Sequence, residues 1–225
     1  SERGIEWMVL GLVPGEESPE TIYLADLGTD TVWHSSADGD ACCPAGLGCW
    51  DDRNTGLGMW PDEGDYGIAD IAVLDSETIY VVAFNGDMVK TTTSGRHWSS
   101  QEDTKADDDT DEMAHHIVAW GDWVLVGGDM GTVSYSDDGG DSFSVLDDIG
   151  NGQVHVAFDS YFDDNGYVYG AVSCGDGDNG IYRTTIDDGE WEDMNACPEL
   201  DYWGIVVSDP DGNPETSAST GGVLY

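Results

Sequence analysis

The stretch Ser136-Asp137-Asp138-Gly139-Gly140-Asp141-Ser142-Phe143 decides the fold predicted for this chain. It follows the alternating run from Gly131 to Tyr135 and precedes a second short apolar run. Its two central glycines tolerate the positive φ values of a hairpin turn, and the aspartate before them can accept hydrogen bonds from turn amides. The phenylalanine that ends the stretch supplies an apolar anchor. The stretch therefore predicts a strand, a tight turn and a second strand.

Three other segments repeat this pattern with changes. Thr91 to Trp98 keeps the hydroxyl, glycine and aromatic positions but has Thr93 in place of the aspartate. Thr185 to Trp191 is one residue shorter, and a segment that begins at Ser36 is delayed by an insertion. The aromatic ends fall at positions 50, 98, 143 and 191, a spacing of 45 to 48 residues. A period of this length, built from strands and turns, is typical of β-propeller blades.

The spacing hydroxyl-x-Asp-x-Gly-x-x-aromatic resembles the Asp-box, or BNR, repeat of a β-propeller superfamily. That superfamily includes sialidases, xyloglucan-cleaving glycosidases, sortilin-type receptors, photosystem II assembly factors and repetitive bacterial and archaeal surface proteins. The chain is most similar to the last group. The resemblance implies that the box positions are structural, and here they are Ser136, Asp138, Gly140 and Phe143; Gly95 and Trp98; and Asp187, Gly189 and Trp191.

The repeats predict an all-β chain that forms a single propeller domain over residues 1–225. Four-stranded antiparallel blades are expected at about 5–52, 66–100, 114–147 and 152–195, with a partial fifth blade at 202–225. The run 102–112, rich in acids, is interpreted as a solvated loop. Because a propeller needs closure to hide its edges, we expect a longer chain or a partner to complete the ring.

The charge of the chain excludes several partners. With 47 Asp and Glu against 6 Lys and Arg, the net charge is −41. Nucleic acid binding needs basic side chains, and anionic membrane surfaces are disfavoured for the same reason. No apolar run approaches the 18 residues of a membrane span, and no positively charged leader opens the chain. Salt must screen this charge, or bound cations must match it.

Two loops have alternating oxygen ligands of the kind that Ca²⁺ prefers. They are Asp176-Gly177-Asp178-Asn179 and Asp209-Pro210-Asp211-Gly212-Asn213. Neither matches a complete EF-hand loop, and an ordinary polar turn is the alternative for both. A similar cluster contains Asp159, Asp163, Asp164 and Asn165. We predict a possible Ca²⁺ requirement and no organic cofactor.

Five cysteines favour an exported protein, because none has zinc-finger spacing and disulfides persist outside the cell. Cys174 ends a predicted strand and Cys197 follows the last strand of the same blade, so this pair is expected to form a disulfide. Cys49 is expected to close the insertion loop with Cys42 or Cys43, which leaves one cysteine over. The expected localisation is extracellular or at the cell surface.

The residues favour binding over catalysis. The resemblance to sialidases would require an arginine triad, but of Arg3, Arg53, Arg96 and Arg183 the first is terminal, the second lies in a predicted linker and the third in a predicted hairpin turn. His115 and His116 are adjacent on a strand and point to opposite faces, so they are poorly placed to share a metal. A glycosidase needs two carboxylates flanking a cleft, and 47 acids leave that alternative open.

We therefore predict a non-catalytic structural or interaction protein. Its partners are expected to be other copies of itself or neighbouring surface proteins, and carbohydrate is a further candidate. The alternatives are a secreted glycoside hydrolase or carbohydrate-binding propeller, and a receptor-like propeller that binds a peptide.

Overall fold

The computed structural model describes residues 8–12, 21–26, 31–35, 50–53, 67–106, 113–173, 179–194, 202–205, 207–208 and 223–224. Within these ranges the backbone forms β-strands joined by turns, together with a single four-residue helix. Contacts divide the chain into two compact units, residues 1–103 and residues 104–225. Among the helical residues described, none belong to a helix long and apolar enough to cross a membrane.

Four sheets each contain four antiparallel strands, and each strand pairs with its neighbour in sequence. A fifth, two-stranded sheet follows. Sheet one contains β1 (Met8–Leu12), β2 (Ile22–Asp26), β3 (Thr31–Ser35) and β4 (Asp51–Asp52); sheet two contains β5 (Ile68–Val73), β6 (Ile79–Ala83), β7 (Asp87–Thr91) and β8 (Glu102–Asp103); sheet three contains β9 (Ala114–Trp120), β10 (Trp123–Gly128), β11 (Val133–Ser136) and β12 (Ser144–Val145); sheet four contains β13 (Gln153–Phe158), β14 (Tyr167–Ser173), β15 (Gly180–Thr185) and β16 (Glu192–Asp193); and sheet five contains β17 (Val207–Ser208) and β18 (Val223–Leu224).

The second strands of sheets two, three and four are the most apolar strands of their sheets, and their burial explains why. All five residues of β6 are buried, as are the last five residues of β10 and the last six of β14. A continuous run of β-branched and small apolar residues suits a strand that is covered on both faces. The outer strands β4, β12 and β16 are exposed two-residue strands. In sheets two, three and four, burial thus decreases from the second strand to the fourth.

Each unit has its own hydrophobic core. In the first unit, Tyr23 and Val32 of sheet one pack with Ile68, Ile79 and Val81 of sheet two, and all five are fully buried. In the second unit, the main cluster joins sheets three and four and includes Leu125, Val133, Ile149, Val154, Phe158, Phe162 and Val168. Burial of these side chains contributes about 1.5–3 kcal/mol each to folding.

Two consecutive glycines allow close backbone contact within the second unit. A Cβ atom on Gly127 would lie 2.1 Å from the carbonyl oxygen of Val154, and one on Gly128 would lie 2.1 Å from that of Ala106. The register between β9 and β10 shifts at these two residues. Only glycine fits there, so β13 and the segment after β8 approach β10 directly.

In sheets two, three and four, the aromatic residue that ends the hairpin marks a contact with the segment that follows the outer strand of the previous sheet. The indole nitrogen of Trp98 donates to the carbonyl of Arg53, which directly follows β4, at 2.8 Å. Trp191 donates in the same way to Asp147, two residues after β12, at 2.6 Å. At Phe143 the direction is reversed, because the Lys105 ammonium group donates to the Phe143 carbonyl oxygen at 2.5 Å. One such contact therefore occurs at each of these three hairpins.

The prediction of an all-β chain with four-stranded antiparallel sheets is confirmed. One boundary differs, because the fourth strand of sheet two lies at Glu102–Asp103, beyond the predicted limit at residue 100 and inside the run interpreted as a loop. The connection from β7 to β8 covers residues 92–101 and is longer than the equivalent connection in sheet three, which covers 137–143. That extra length displaces the outer strand along the chain.

Candidate binding site

The hairpin of sheet three uses its polar side chains to hold the turn. The Ser136 hydroxyl oxygen accepts hydrogen bonds from the amides of Gly140 at 2.8 Å and Asp138 at 3.3 Å. Oδ1 of Asp138 accepts from the amides of Asp141 and Ser142 at 3.0 and 2.9 Å, and Oδ2 accepts from the Ser142 hydroxyl at 2.7 Å. Hydrogen bonds from the side chains of Ser142 and Ser136 lower the pKa of Asp138 to about 2. The carboxylate is fully used by the turn.

The hairpin of sheet two reaches the same arrangement with different residues. The Thr91 hydroxyl oxygen accepts from the Gly95 amide at 3.1 Å, as Ser136 does from Gly140. The Thr93 hydroxyl oxygen accepts from the His97 amide at 3.0 Å, four residues ahead, as Asp138 does from Ser142. A threonine therefore replaces the aspartate as the acceptor inside the turn.

The hairpin of sheet four departs from this plan. Its turn is closed by backbone bonds, because the amides of Gly189 and Asp188 both donate to the Thr185 carbonyl oxygen, at 3.0 and 3.2 Å. Among the described residues, neither the Asp187 carboxylate nor the Thr185 hydroxyl takes part in a turn hydrogen bond. Asp187 is exposed. Shortening the turn by one residue has thus released the carboxylate that sheet three uses for structure.

Sheet four also departs from sheets two and three in the connection between its first two strands. Sheet three joins them through residues 121–122 and sheet two through residues 74–78, whereas sheet four inserts the helix α1 (Phe162–Asn165). The helix is held by the buried carboxylate of Asp159. Oδ1 of Asp159 accepts from the Tyr161 amide and from the Asn165 side chain, both at 2.9 Å, and Oδ2 accepts from the Tyr169 hydroxyl at 2.9 Å.

Further contacts position α1 against sheet three. Oδ1 of Asp163 accepts from the Trp120 indole nitrogen at 3.0 Å. Phe162 is buried and packs edge-to-face against Trp123, with ring centroids 5.4 Å apart. The helix is therefore held by the buried carboxylate of Asp159, by the contact of Phe162 with Trp123 and by the hydrogen bond from Trp120.

These two departures form the walls of one open cavity of about 410 Å³. One wall is α1 and the residue after it, and the other is the short hairpin of sheet four, with Trp123 between them. The lining residues are Trp123, Phe162, Asp163, Asp164, Asn165, Gly166, Thr185, Ile186 and Asp187. We call this the sheet-four cavity. It combines aromatic surface with three carboxylates, and its volume lies within the range of small-molecule and side-chain pockets.

The structure accounts differently for the other predicted site residues. Asp159 is a structural acceptor at the start of α1, and Asn165 bonds to it, so the cluster predicted around Asp159, Asp163, Asp164 and Asn165 is divided between a buried network and the cavity wall. The predicted calcium ligands Asp176, Asp178, Asp209, Asp211 and Asn213 lie outside the described residues, as do Cys42, Cys43, Cys49, Cys174 and Cys197. No group of three or more potential metal-ligating side chains occurs in the part of the chain that is described.

The histidines on the first strands of sheets three and four have different contacts. Nε2 of His115 lies 2.7 Å from Oδ1 of Asp129. Nδ1 of His116 accepts a hydrogen bond from the Val156 amide at 3.3 Å, so its ring carries the proton on Nε2. His116 packs edge-to-face on His155, with centroids 5.3 Å apart. Burial lowers the pKa of both residues to about 4, and for His155 the neighbouring histidines add to this effect.

Solved structures similar to this chain include two of YCF48 and one of a xyloglucanase. YCF48 from Cyanidioschyzon merolae has a TM-score of 0.56 at 13% identity, covering 88% of this chain and 60% of that one. YCF48 bound to D1 peptide has a TM-score of 0.58 at 17% identity, covering 87% and 57%. The GH74 xyloglucanase from Xanthomonas campestris has a TM-score of 0.56 at 15% identity, covering 85% and 31%. The fold is that of a β-propeller.

The four sheets are therefore propeller blades, and sheet five is part of another. The chain spans about 60% of the length of the first YCF48 structure. No protein-family model matches the sequence, and no curated protein does so either.

Proposed function

We propose that this chain is a non-catalytic interaction propeller, and that it binds a positively charged segment of a neighbouring protein in an extracellular or cell-surface assembly. The observation that carries the proposal is the sheet-four cavity. Both of its walls are places where sheet four departs from the repeat. Departures from local structural rules concentrate at functional sites, because the repeat alone would not maintain them.

The charge of the cavity supports a cationic partner. Asp163, Asp164 and Asp187 lie on its walls, and the whole chain carries a net charge of −41. Electrostatic complementarity steers a basic segment towards such a surface and rejects acidic ones. A neighbouring surface protein therefore suits the cavity better than a second copy of this acidic chain.

One structural neighbour is a propeller bound to a peptide, namely YCF48 with the D1 peptide. This likeness establishes only the fold at 17% identity. It is nevertheless compatible with the receptor-like version of the proposal, in which the propeller holds an extended segment of another protein.

The hydrogen bonds of the Ser136 and Thr91 hairpins support assigning the chain to the Asp-box group. In both, a hydroxyl accepts from the glycine amide four residues ahead. Within this proposal, the box residues are structural and the shortened hairpin of sheet four has taken on a binding role.

A secreted carbohydrate-active propeller is the second candidate, and the GH74 neighbour together with the carboxylates of the cavity favours it. Sugars bind by stacking on an open aromatic face. Here Trp123 already contacts Tyr135, at 6.4 Å between centroids, and Phe162. The cavity thus offers one partly packed indole against three carboxylates, so a positively charged group fits it better than a sugar ring does.

An array of peptides with varied charge, probed with the intact chain at 0.15 M salt, tests the proposal. We expect saturable binding to a subset of basic peptides and weaker binding to their scrambled sequences. A parallel glycan panel, assayed for released reducing ends, tests the second candidate. Sustained release of reducing ends, or no sequence-dependent peptide binding, would contradict the proposed function.

A further inference from the structure

We infer that the sheet-four cavity is a receptor for a guanidinium group, so that an arginine side chain of the bound segment enters it. This inference rests on the proposed function and specifies the ligand chemistry of the same site. Its basis is the set of groups that the cavity offers, together with a guanidinium that the protein already binds elsewhere in sheet four.

The carboxylates of the cavity belong to two different elements. Asp164 belongs to α1 and Asp187 to the hairpin, and both are exposed; among the described residues, neither side chain has a hydrogen-bond partner. Asp163 uses one oxygen to accept from Trp120 and is thereby held in place. A planar group with five N–H donors can bond to carboxylates on two sides at once, which an ammonium group does less well.

The repeat shows why these groups are available. In sheet three the equivalent carboxylate, Asp138, receives hydrogen bonds from two amides and two hydroxyls of its own turn. In sheet four the backbone closes the turn, so Asp187 and Thr185, which both line the cavity, do not have that task. This comparison between repeats is independent of the acidity of the site.

Sheet four holds one of its own arginines by the same combination of groups. The guanidinium carbon of Arg183 lies 4.5 Å from the centroid of the Tyr167 ring, and its Nη2 donates to Glu192 at 2.8 Å. An aromatic ring with a nearby carboxylate is a favourable environment for a weakly hydrated planar cation. The sheet-four cavity provides the same two elements, Trp123 and the carboxylates, around open space.

The test uses three short peptides that differ only at their centre: acetyl-Ser-Arg-Ser-amide, its lysine analogue and its citrulline analogue. Citrulline has nearly the shape of arginine without the charge. We expect the arginine peptide to bind most tightly. The citrulline peptide should bind at least about tenfold more weakly, because citrulline lacks the charge-assisted hydrogen bonds of arginine. Binding of either the lysine or the citrulline peptide as tightly as the arginine peptide would overturn the inference.

Two double variants distinguish the cavity from the general negative charge. Asp164→Asn with Asp187→Asn removes the free carboxylates of the cavity while keeping their shape. Glu77→Gln with Asp148→Asn removes the same charge at exposed positions that do not line the cavity. We expect the cavity pair to weaken binding of the arginine peptide about tenfold and the control pair to change it less than twofold.

An equal loss in both double variants would overturn the inference, because it would mean that only net charge matters. The melting temperatures of all variants show whether the fold is intact. If peptides selected on the array still bind the cavity double variant at full strength, the guanidinium receptor is wrong while the interaction function stands.

Discussion

Single hydroxyl groups organise the turns of this propeller. Ser136 is buried, and its oxygen accepts from the buried Gly140 amide, which has no other acceptor within the described hairpin. Thr91 has the same role for Gly95 in sheet two. Each glycine has a positive φ, 86° for Gly140 and 75° for Gly95, so the hydroxyl stabilises a conformation that other residues adopt only with strain.

Replacing Ser136 tests this role. Ser136→Ala leaves the Gly140 and Asp138 amides without their acceptor, and we expect the free energy of unfolding to fall by about 1–2 kcal/mol. Ser142→Ala, which removes only the exposed hydroxyl that donates to Asp138, should cost less than about 0.5 kcal/mol. Urea denaturation of both variants measures the difference. Equal losses would mean that the buried hydroxyl has no special role.

His116 and His155 predict a dependence of stability on pH. Their pKa values in the folded state, about 4, lie below the ordinary value of 6.5, so the unfolded chain binds more protons between these limits. The contribution of these two histidines to the free energy of unfolding should therefore be fully present above pH 6.5 and be lost as the pH decreases towards 4. Protonating Nδ1 of His116 would also break its bond from Val156 and place two cations near His115.

The measurement is the free energy of unfolding from pH 7.5 to 4.5 at fixed ionic strength. For partly buried rings we expect a loss of about 2 kcal/mol, discounted for solvent screening. His116→Gln should flatten the profile, whereas the matched change at the exposed His97 should leave it unchanged. A profile identical in all three proteins would contradict this account. The hydrogen bond between His115 and Asp129 involves none of the residues that these variants change.

At the scale of elements, α1 is the insertion that makes the cavity. Asp159→Ala leaves the Tyr161 amide, the Asn165 side chain and the Tyr169 hydroxyl without their shared acceptor. We expect the free energy of unfolding to fall by about 2–4 kcal/mol. Because one wall of the cavity is lost, we also expect peptide binding to be lost.

Asp159→Asn keeps one acceptor oxygen and should lose about half as much. Its denaturation curve and its peptide affinity supply the comparison. Full stability of Asp159→Ala would show that the helix is held by packing of Phe162 alone.

The strands and hairpins could be predicted from sequence because their signals are local. The run at 79–83 is apolar throughout, and the turn at 136–143 contains its glycines and aspartate at fixed positions. The helix α1 could not be predicted, since four residues contain no helical period and Asp159 acts through Tyr169, which is on the next strand. Asp187 was predicted to be structural because the sequence shows the box position but not the backbone bonds that replace it.

At the scale of the whole molecule, charge repulsion opposes folding. The net charge of −41 predicts low stability in dilute salt and rising stability as the Debye length shrinks from about 30 Å at 0.01 M to about 3 Å at 1 M.

If the proposed calcium ligands around Asp176 and Asp209 bind Ca²⁺, then CaCl₂ should raise the melting temperature more than MgCl₂ at equal ionic strength. Melting curves in NaCl, MgCl₂ and CaCl₂ measure both the screening effect and the calcium effect. Identical curves for the two divalent ions would remove the calcium proposal, and the absence of any salt response would contradict the role given to charge.

The most direct test of binding at the sheet-four cavity uses the indole N–H signals of the nine tryptophans in a ¹H–¹⁵N spectrum. The signal of Trp123 is assigned by its loss in Trp123→Phe, and that of Trp98, in the sheet-two hairpin, by its loss in Trp98→Phe. Titration with the arginine peptide should shift the Trp123 signal saturably and leave the Trp98 signal in place. If the Trp123 signal does not move, or if all indole signals move together in proportion to the added charge, the cavity is not the binding site.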